Sequence, residues 1–155
     1  MTLIGISNLP EDVYFRLLNT EDALAAAKYP LSTLYYDVGQ FEKFGFFIFL
    51  GALDSALTAQ IYQDTSATQT ASHKVITGAV ATCAADMDDR WYCIEVETRK
   101  LDISNGFHYV TLDVAGPTGN DYGCIVFYGI PFKMPATQLA AVTGEATTGT
   151  VIVAG

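Results

Sequence analysis

Turn-forming residues recur at short intervals from residue 37 onward, and the runs between them have the composition of β-strands. The run 57–63 alternates apolar and polar side chains, and so does the run 108–114, which follows the hairpin signal Asn105-Gly106. Alternation of this kind buries one face of a sheet and leaves the other in water. About eight such strands predict an all-β fold, an antiparallel β-sandwich of jelly-roll-like form.

The two ends of the chain differ from this pattern. Within residues 1–30, an Asn-Thr-Glu-Asp start signal, an alanine-rich segment and Pro30 predict a helix of one or two turns. We therefore expect residues 1–30 to form an extended or partly helical arm, residues 31–133 the β-sandwich, and residues 134–155 a C-terminal tail. Residues 150–153 have the composition of an edge strand, added to the chain's own sheet or to another chain.

Charge and hydropathy exclude several classes of partner. The chain has 155 residues, with 8 Lys and Arg against 17 Asp and Glu, for a net charge of -9. A groove for nucleic-acid phosphates and an anionic membrane surface are both disfavoured by this balance. The longest uncharged apolar run, Phe44–Leu53, is far shorter than the roughly 20 residues that span a bilayer. The first residues lack the basic region of a signal peptide, so we expect none.

Three cysteines are present, Cys83, Cys93 and Cys124, and they form no CxxC pair. An odd number argues against a disulfide framework. All three lie in apolar, strand-like runs, so we predict reduced, inert core thiols. One disulfide plus a spare thiol is the alternative.

No segment carries a catalytic signature. His108 is predicted to be a hydrogen-bonded residue in or at the rim of the core, and His73 a surface residue. Residues 86–89 resemble half of a calcium loop but lack its glycine, which favours an acidic turn over a loosely held cation. Residues 144–149 have the glycine spacing of a phosphate loop without its lysine. We assign no catalytic, cofactor-binding or metal-binding residue, and predict that the chain is not an enzyme. A hydrolase is the least supported alternative.

Two predicted strands are apolar on both faces. In Phe44–Leu50, Phe47 and Phe49 lie on the face opposite the other large apolar residues, and Cys124–Tyr128 is similar. Because a sandwich strand has one inner face, the second apolar face must be covered by the arm, the tail or another chain. The pattern therefore indicates self-association or docking on a larger assembly.

Trp91, the single tryptophan, follows Asp88-Asp89-Arg90. One hypothesis is that its ring caps the core where the strand begins. The other is that the ring stacks on a sugar whose hydroxyls bind Asp88 and Asp89. The second hypothesis makes the chain a glycan-binding or host-adhesion β-sandwich module, which is the alternative function.

Several segments together resemble a known family. Residues 51–68, Lys74–Ala79, Trp91–Val96 and Leu101–Phe107 are similar to segments of small structural proteins of tailed bacteriophages, commonly encoded among head genes. The resemblance covers residues 41 to 132 and consists of a pattern of strands and loops. It implies a capsid decoration, or cement, protein with a jelly-roll-like sandwich that binds the outer shell at capsomer junctions and clamps neighbouring subunits.

The expected function follows from the apolar faces and from this resemblance. We expect a structural virion protein on the outer surface of the capsid, made in the host cytoplasm. Its expected partners are the major capsid protein and copies of itself, as a dimer or a trimer. The predicted contact residues are Leu17, Leu18, Leu24 and Tyr29 in the arm, Phe47 and Phe49 in the doubly apolar strand, and Val151 and Val153 in the tail.

Overall fold

Two antiparallel sheets pack against each other in the computed structural model of the chain, which describes residues 14–18, 22–30, 33–118 and 121–132. The predicted all-β antiparallel sandwich is confirmed. The strands are β1 (Tyr14–Leu17), β2 (Asp22–Ala23), β3 (Ala27–Tyr29), β4 (Tyr36–Asp37), β5 (Phe41–Leu50), β6 (Leu57–Asp64), β7 (Lys74–Cys83), β8 (Trp91–Glu97), β9 (Tyr109–Ala115) and β10 (Tyr122–Pro131). Two 3-10 turns, Thr98–Lys100 and Ile103–Asn105, follow β8. Within these described ranges, no helix is long and apolar enough to cross a membrane.

The order of the strands is that of a jelly roll. Sheet A has the order β1-β10-β5-β8, with β2 also pairing with β10, and sheet B has the order β3-β9-β6-β7, with β4 also pairing with β9. β1 and β2 thus form one interrupted edge strand along β10, and β3 and β4 form another along β9. Counted in this way, consecutive strands lie in opposite sheets throughout, except for the hairpin of β6 and β7. This arrangement is the double-sheet jelly roll.

The helix predicted before Pro30 is wrong, because this part of the chain forms β2 and β3. Pairing with β10 and β9 satisfies the backbone in an extended form, and Leu24 and Tyr29 are buried between the sheets. A helix of one or two turns is marginal without packing, so these tertiary contacts prevail over the local signals. The described part of the arm therefore supplies edge strands and does not lie on a finished sandwich.

The core lies between the inner faces of the two sheets. The alternation predicted for 57–63 and 108–114 is confirmed, since the apolar residues at alternate positions are all buried: Leu57, Ala59 and Ile61 in the first run, and Val110, Leu112 and Val114 in the second. Phe127 on β10 occupies the centre of an aromatic cluster. Its ring centroid lies 4.8–6.5 Å from the rings of Tyr14, Tyr36, Phe41, Phe44 and Phe46.

A glycine on β10 permits this close packing. A Cβ atom at Gly129 would lie 2.6–2.7 Å from three ring atoms of the fully buried Phe41. We expect Gly129→Ala to lower the free energy of unfolding by about 2 kcal/mol, because the core has no room to repack. Chemical denaturation of the variant measures this loss. Gly51→Ala is the control, since its Cβ would meet its nearest neighbours at ordinary distances of 3.6 and 3.7 Å. An equal loss in both variants would contradict the explanation.

A buried carboxylate joins two loops at the end of the sandwich where β5 ends and β10 begins. Asp121 is fully buried, and its carboxylate accepts backbone hydrogen bonds from Asp54 at 2.6 Å, Ser55 at 3.0 Å and Thr118 at 2.5 Å. Burial by itself raises the pKa of Asp121, but these hydrogen bonds together outweigh it and hold the pKa below its usual value. The carboxylate is therefore ionised and fixes the two loops to each other.

Candidate interaction surface

The outer face of sheet A is apolar, although it points away from the core. The register places Phe47 between Val126 of β10 and Cys93 of β8, and Phe49 between Cys124 and Trp91. β1 continues the same rows at the edge of the sheet. The side chains that form this face are Phe15, Leu17, Phe47, Phe49, Trp91, Cys93, Tyr122, Cys124, Val126 and Tyr128. We call this set the outer face of sheet A.

Aromatic rings form the centre of this face. The ring of Phe47 lies 5.0 Å from Tyr128, 6.0 Å from Phe49 and 6.4 Å from Trp91, measured between centroids. Tyr128 in turn contacts Phe15 at 6.5 Å. Trp91 remains 64% exposed and Phe49 remains 44% exposed. Contiguous exposed rings of this kind mark interaction sites in soluble proteins.

The missing side chain of Gly45 makes room for Tyr128. Gly45 is opposite Tyr128 in the register, and a Cβ there would lie 2.6 Å from the tyrosine ring and 2.5 Å from the carbonyl oxygen of Ile94. The Tyr128 hydroxyl donates a hydrogen bond to Glu95 at 2.8 Å. Burial, together with Cys93 and Glu95, raises the pKa of Tyr128 well above its ordinary value, so the hydroxyl stays protonated. Tyr128 is therefore a fixed, largely covered part of the face.

Charged side chains lie at one end of this face, outside its aromatic centre. Lys43 and Glu95 form an ion pair at 3.3 Å, and Glu97 pairs with Arg99. The outer face of sheet B is different, since Thr58 and Gln60 on β6 and Asp113 on β9 point outward from it. The two exteriors of the sandwich therefore differ, and the aromatic one is the candidate interaction surface.

The predicted contact residues divide into three groups. Leu17, Phe47 and Phe49 lie on the outer face of sheet A. Leu18, Leu24 and Tyr29 were predicted wrongly, because the path of the edge strands turns them into the chain's own core, where they are 3%, 0% and 8% exposed. Val151 and Val153 lie outside the described residues, as does the glycine pattern at 144–149.

Trp91 is the main residue whose place on this face the sequence did not reveal. The hypothesis that its ring caps the core is wrong, because Tyr92 and Ile94 take the inward positions of β8 and leave Trp91 outside. The alternation of β8 was visible in the sequence. What the sequence lacked was the register that sets Trp91 opposite Phe49.

The cysteines follow the same division between core and outer face. Cys83 is buried, as predicted, but Cys93 is exposed and Cys124 is partly exposed. The prediction of three core thiols is therefore wrong for Cys93 and Cys124, since strand alternation sends Cys93 outward beside Phe47 and Cys124 outward beside Phe49. No disulfide links the three cysteines, all of which are within the described ranges.

The remaining candidate residues make local structural contacts. The Asp88 carboxylate accepts the Leu53 N–H at 2.7 Å within the predicted acidic turn. His108 Nδ1 lies 2.9 Å from the Gly106 carbonyl oxygen in a partly buried position, and His73 Nδ1 lies 2.8 Å from that of Thr70. Among the described residues, no three His, Cys, Asp or Glu side chains are grouped as metal ligands would be.

The fold and the site together define an antiparallel jelly-roll sandwich with an aromatic outer face on one sheet. No protein-family model, no curated protein and no solved structure matches this chain.

Proposed function

We propose that this chain is a non-enzymatic structural protein of a tailed-phage virion, which decorates the outer shell of the capsid and holds neighbouring subunits together. The observation that supports this most is the aromatic outer face of sheet A, where Phe49 and Trp91 stay exposed on a rigid sandwich. Aromatic anchors of this kind are typical of protein–protein interfaces. The resemblance of residues 41 to 132 to small phage head proteins supports the same function.

The architecture suits a small protein that is present in many copies and joins neighbouring capsid subunits. A jelly roll with a close-packed core resists deformation, and this fold recurs in viral capsid proteins. When one copy is attached at one point, the effective concentration for its other contacts rises, so several weak contacts together give a high overall affinity. The net charge of -9 keeps the free protein soluble before it reaches the shell. The proposed partners are the major capsid protein and further copies of this chain.

Binding to capsids tests this proposal directly. Shells assembled from the major capsid protein of the phage that carries this gene are incubated with the full chain and sedimented, and the bound protein is quantified. We expect wild type to saturate at a fixed ratio to capsid subunits. We expect Phe49→Ser/Trp91→Ser to lower occupancy at least about tenfold, since truncating interface anchors costs about 2 kcal/mol or more each.

Matched substitutions on the other sheet provide the control. Val75 and Val80 of β7 are 47% and 44% exposed, which is similar to the exposed fraction of Phe49, but they belong to sheet B. Val75→Ser/Val80→Ser is expected to keep wild-type occupancy. Wild-type protein that never sediments with shells would overturn the proposed function.

The exposure of Trp91 supports glycan binding as the second candidate function. The ring lies next to the acidic turn, where Asp89 is exposed. A glycan array with wild type and Trp91→Ala separates the two candidates. Binding that is lost in the variant, together with no binding to shells, would favour the adhesion module.

A further inference from the structure

We propose that the outer face of sheet A packs against the same face of a second copy of this chain, sheet against sheet, around a two-fold axis. This inference rests on the proposed function in taking the face as a protein interface, and it goes further by assigning the contact between two copies to this face and to a two-fold arrangement. In this arrangement, pairs of sandwiches form the unit that binds the shell, so loss of Phe49 and Trp91 lowers shell occupancy by breaking the pair.

The size of the face fits the core of a dimer interface. It is four strands wide when β1 and β2 are counted as one edge strand. Four strands span about 19 Å, and the distance along β10 from Tyr122 to Tyr128 is about 20 Å, which gives roughly 400 Å² of flat area. A standard interface takes about 800 Å² from each partner, as an apolar core within a polar rim. The aromatic face therefore supplies the core, and the polar residues around it supply the rim.

The shape of the face favours a second sheet as its partner. Flat sheet faces pack on each other at a separation of about 10 Å, as the two sheets of one sandwich already do. A two-fold axis would bring Phe49 and Trp91 of both copies into one interface, so each anchor occurs twice. A patch of moderate area thereby gains two sets of aromatic anchors.

The distribution of charge allows two acidic chains to meet on this face. Each chain has a net charge of -9, yet the aromatic centre of the face carries no charged side chain. At one end of the face, Lys43 and Glu95 form an ion pair at 3.3 Å. Contact through this face therefore brings no like charges together at its centre, whereas an anionic membrane or a nucleic acid would be repelled by the whole chain.

The face offers few polar groups to other ligands. The Tyr128 hydroxyl donates to Glu95 at 2.8 Å and has Cys93 Sγ 3.6 Å away. Phe47, Phe49 and Val126 add no polar side-chain atoms. A sugar requires several hydrogen-bonding groups beside the ring, so this surface is better suited to an apolar protein partner. A second copy is the partner that is present at equal concentration wherever the chain is made.

The test uses the full chain without capsids, so its outcome is separate from that of shell binding. Sedimentation velocity measures the mass over a dilution series, while the fluorescence of Trp91, the single tryptophan, reports the polarity around this face. We expect a dimer at about 10 μM that dissociates on dilution. The emission of Trp91 is expected to shift to longer wavelength in parallel, as the ring becomes exposed.

Substitutions on the two sheets then locate the contact. Phe49→Ser/Trp91→Ser is expected to raise the dimer dissociation constant at least about 100-fold, because each change acts in both copies. Val75→Ser/Val80→Ser is expected to leave it unchanged. The dilution series on wild type needs no variant, so a folding defect in the first double mutant would not remove the test.

Three results would overturn the inference. A monomer with exposed Trp91 at about 100 μM shows no self-association, and shell binding through the face would then leave the proposed function standing. A monomer with buried Trp91 shows that the chain's own residues outside the described ranges cover the face. An oligomer whose assembly is unaffected by Phe49→Ser/Trp91→Ser places the contact elsewhere. Conversely, a dimer that fails to bind shells would support the inference and contradict the proposed function.

Discussion

Phe127→Ala is expected to lower the free energy of unfolding by about 4 kcal/mol, the loss typical of a large aromatic ring removed from a packed core. Phe127 is fully buried, and its ring contacts five other aromatic rings. Its neighbours belong to β1 and β5 of sheet A and to β4 of sheet B. They therefore cannot close the cavity without moving both sheets. Denaturant unfolding followed by circular dichroism measures the change.

A second phenylalanine near the end of β10 provides the control for this prediction. Phe132 follows Pro131 directly and is 60% exposed. Phe132→Ala is expected to change stability by less than about 0.5 kcal/mol. Similar losses for the two variants would show that Phe127 does not have the central role assigned to it.

Asp121→Asn is expected to lower the free energy of unfolding by about 2–3 kcal/mol at neutral pH. The carboxylate accepts hydrogen bonds on both oxygens, from Asp54 and Ser55 on one and from Thr118 on the other. An asparagine side chain must turn its amide NH₂ toward one of these N–H donors, which leaves a buried group without an acceptor. Asp54→Asn, at an exposed neighbouring carboxylate, is the control and should be near neutral.

The same residue is expected to affect acid unfolding. Because the pKa of Asp121 is lowered in the folded chain, the unfolded chain binds more protons near pH 4. The stability that the carboxylate contributes is therefore complete above its unfolded pKa of about 3.9 and is lost as the pH falls through the folded pKa. Asp121→Asn should show a shallower loss of stability in this acidic range than Asp54→Asn. Parallel curves for the two variants would contradict this assignment.

The long strands were predictable because the alternation of apolar and polar residues within each one shows which of its faces is buried. Alternation in β6 and β9 fixes which side chains face the core, whatever the partner strand is. β2 and β3 contain two and three residues, too few for a period to show. Their conformation depends on β10 and β9, about 85 to 100 residues further along the chain, as the pairs Ala23–Tyr122 and Ala27–Val114 show. Local helix signals were therefore a poor guide there.

The candidate site was predictable where one strand was apolar on both faces. Phe47 and Phe49 could be assigned to the outer face because Phe46 and Ile48, at the alternate positions of the same strand, fill the inner face. Assigning Trp91 to the same surface requires the register between β5 and β8, which no single strand encodes. The role of Asp121 was hidden for a similar reason, since its hydrogen-bond donors at residues 54 and 55 are distant in sequence.

The position of β10 has a consequence for synthesis of the chain on the ribosome. β10 lies between β1 and β5, so sheet A cannot close until the segment that emerges last among the described strands has been made. Until then, the first strand and Phe44 and Phe46 lack the neighbour they pack against. Translation proceeds at about 5–20 residues per second, and pairings of such large sequence separation form slowly. The nascent chain is therefore committed to its final shape only after almost all of these strands have left the exit tunnel, and chaperones have several seconds in which to bind it.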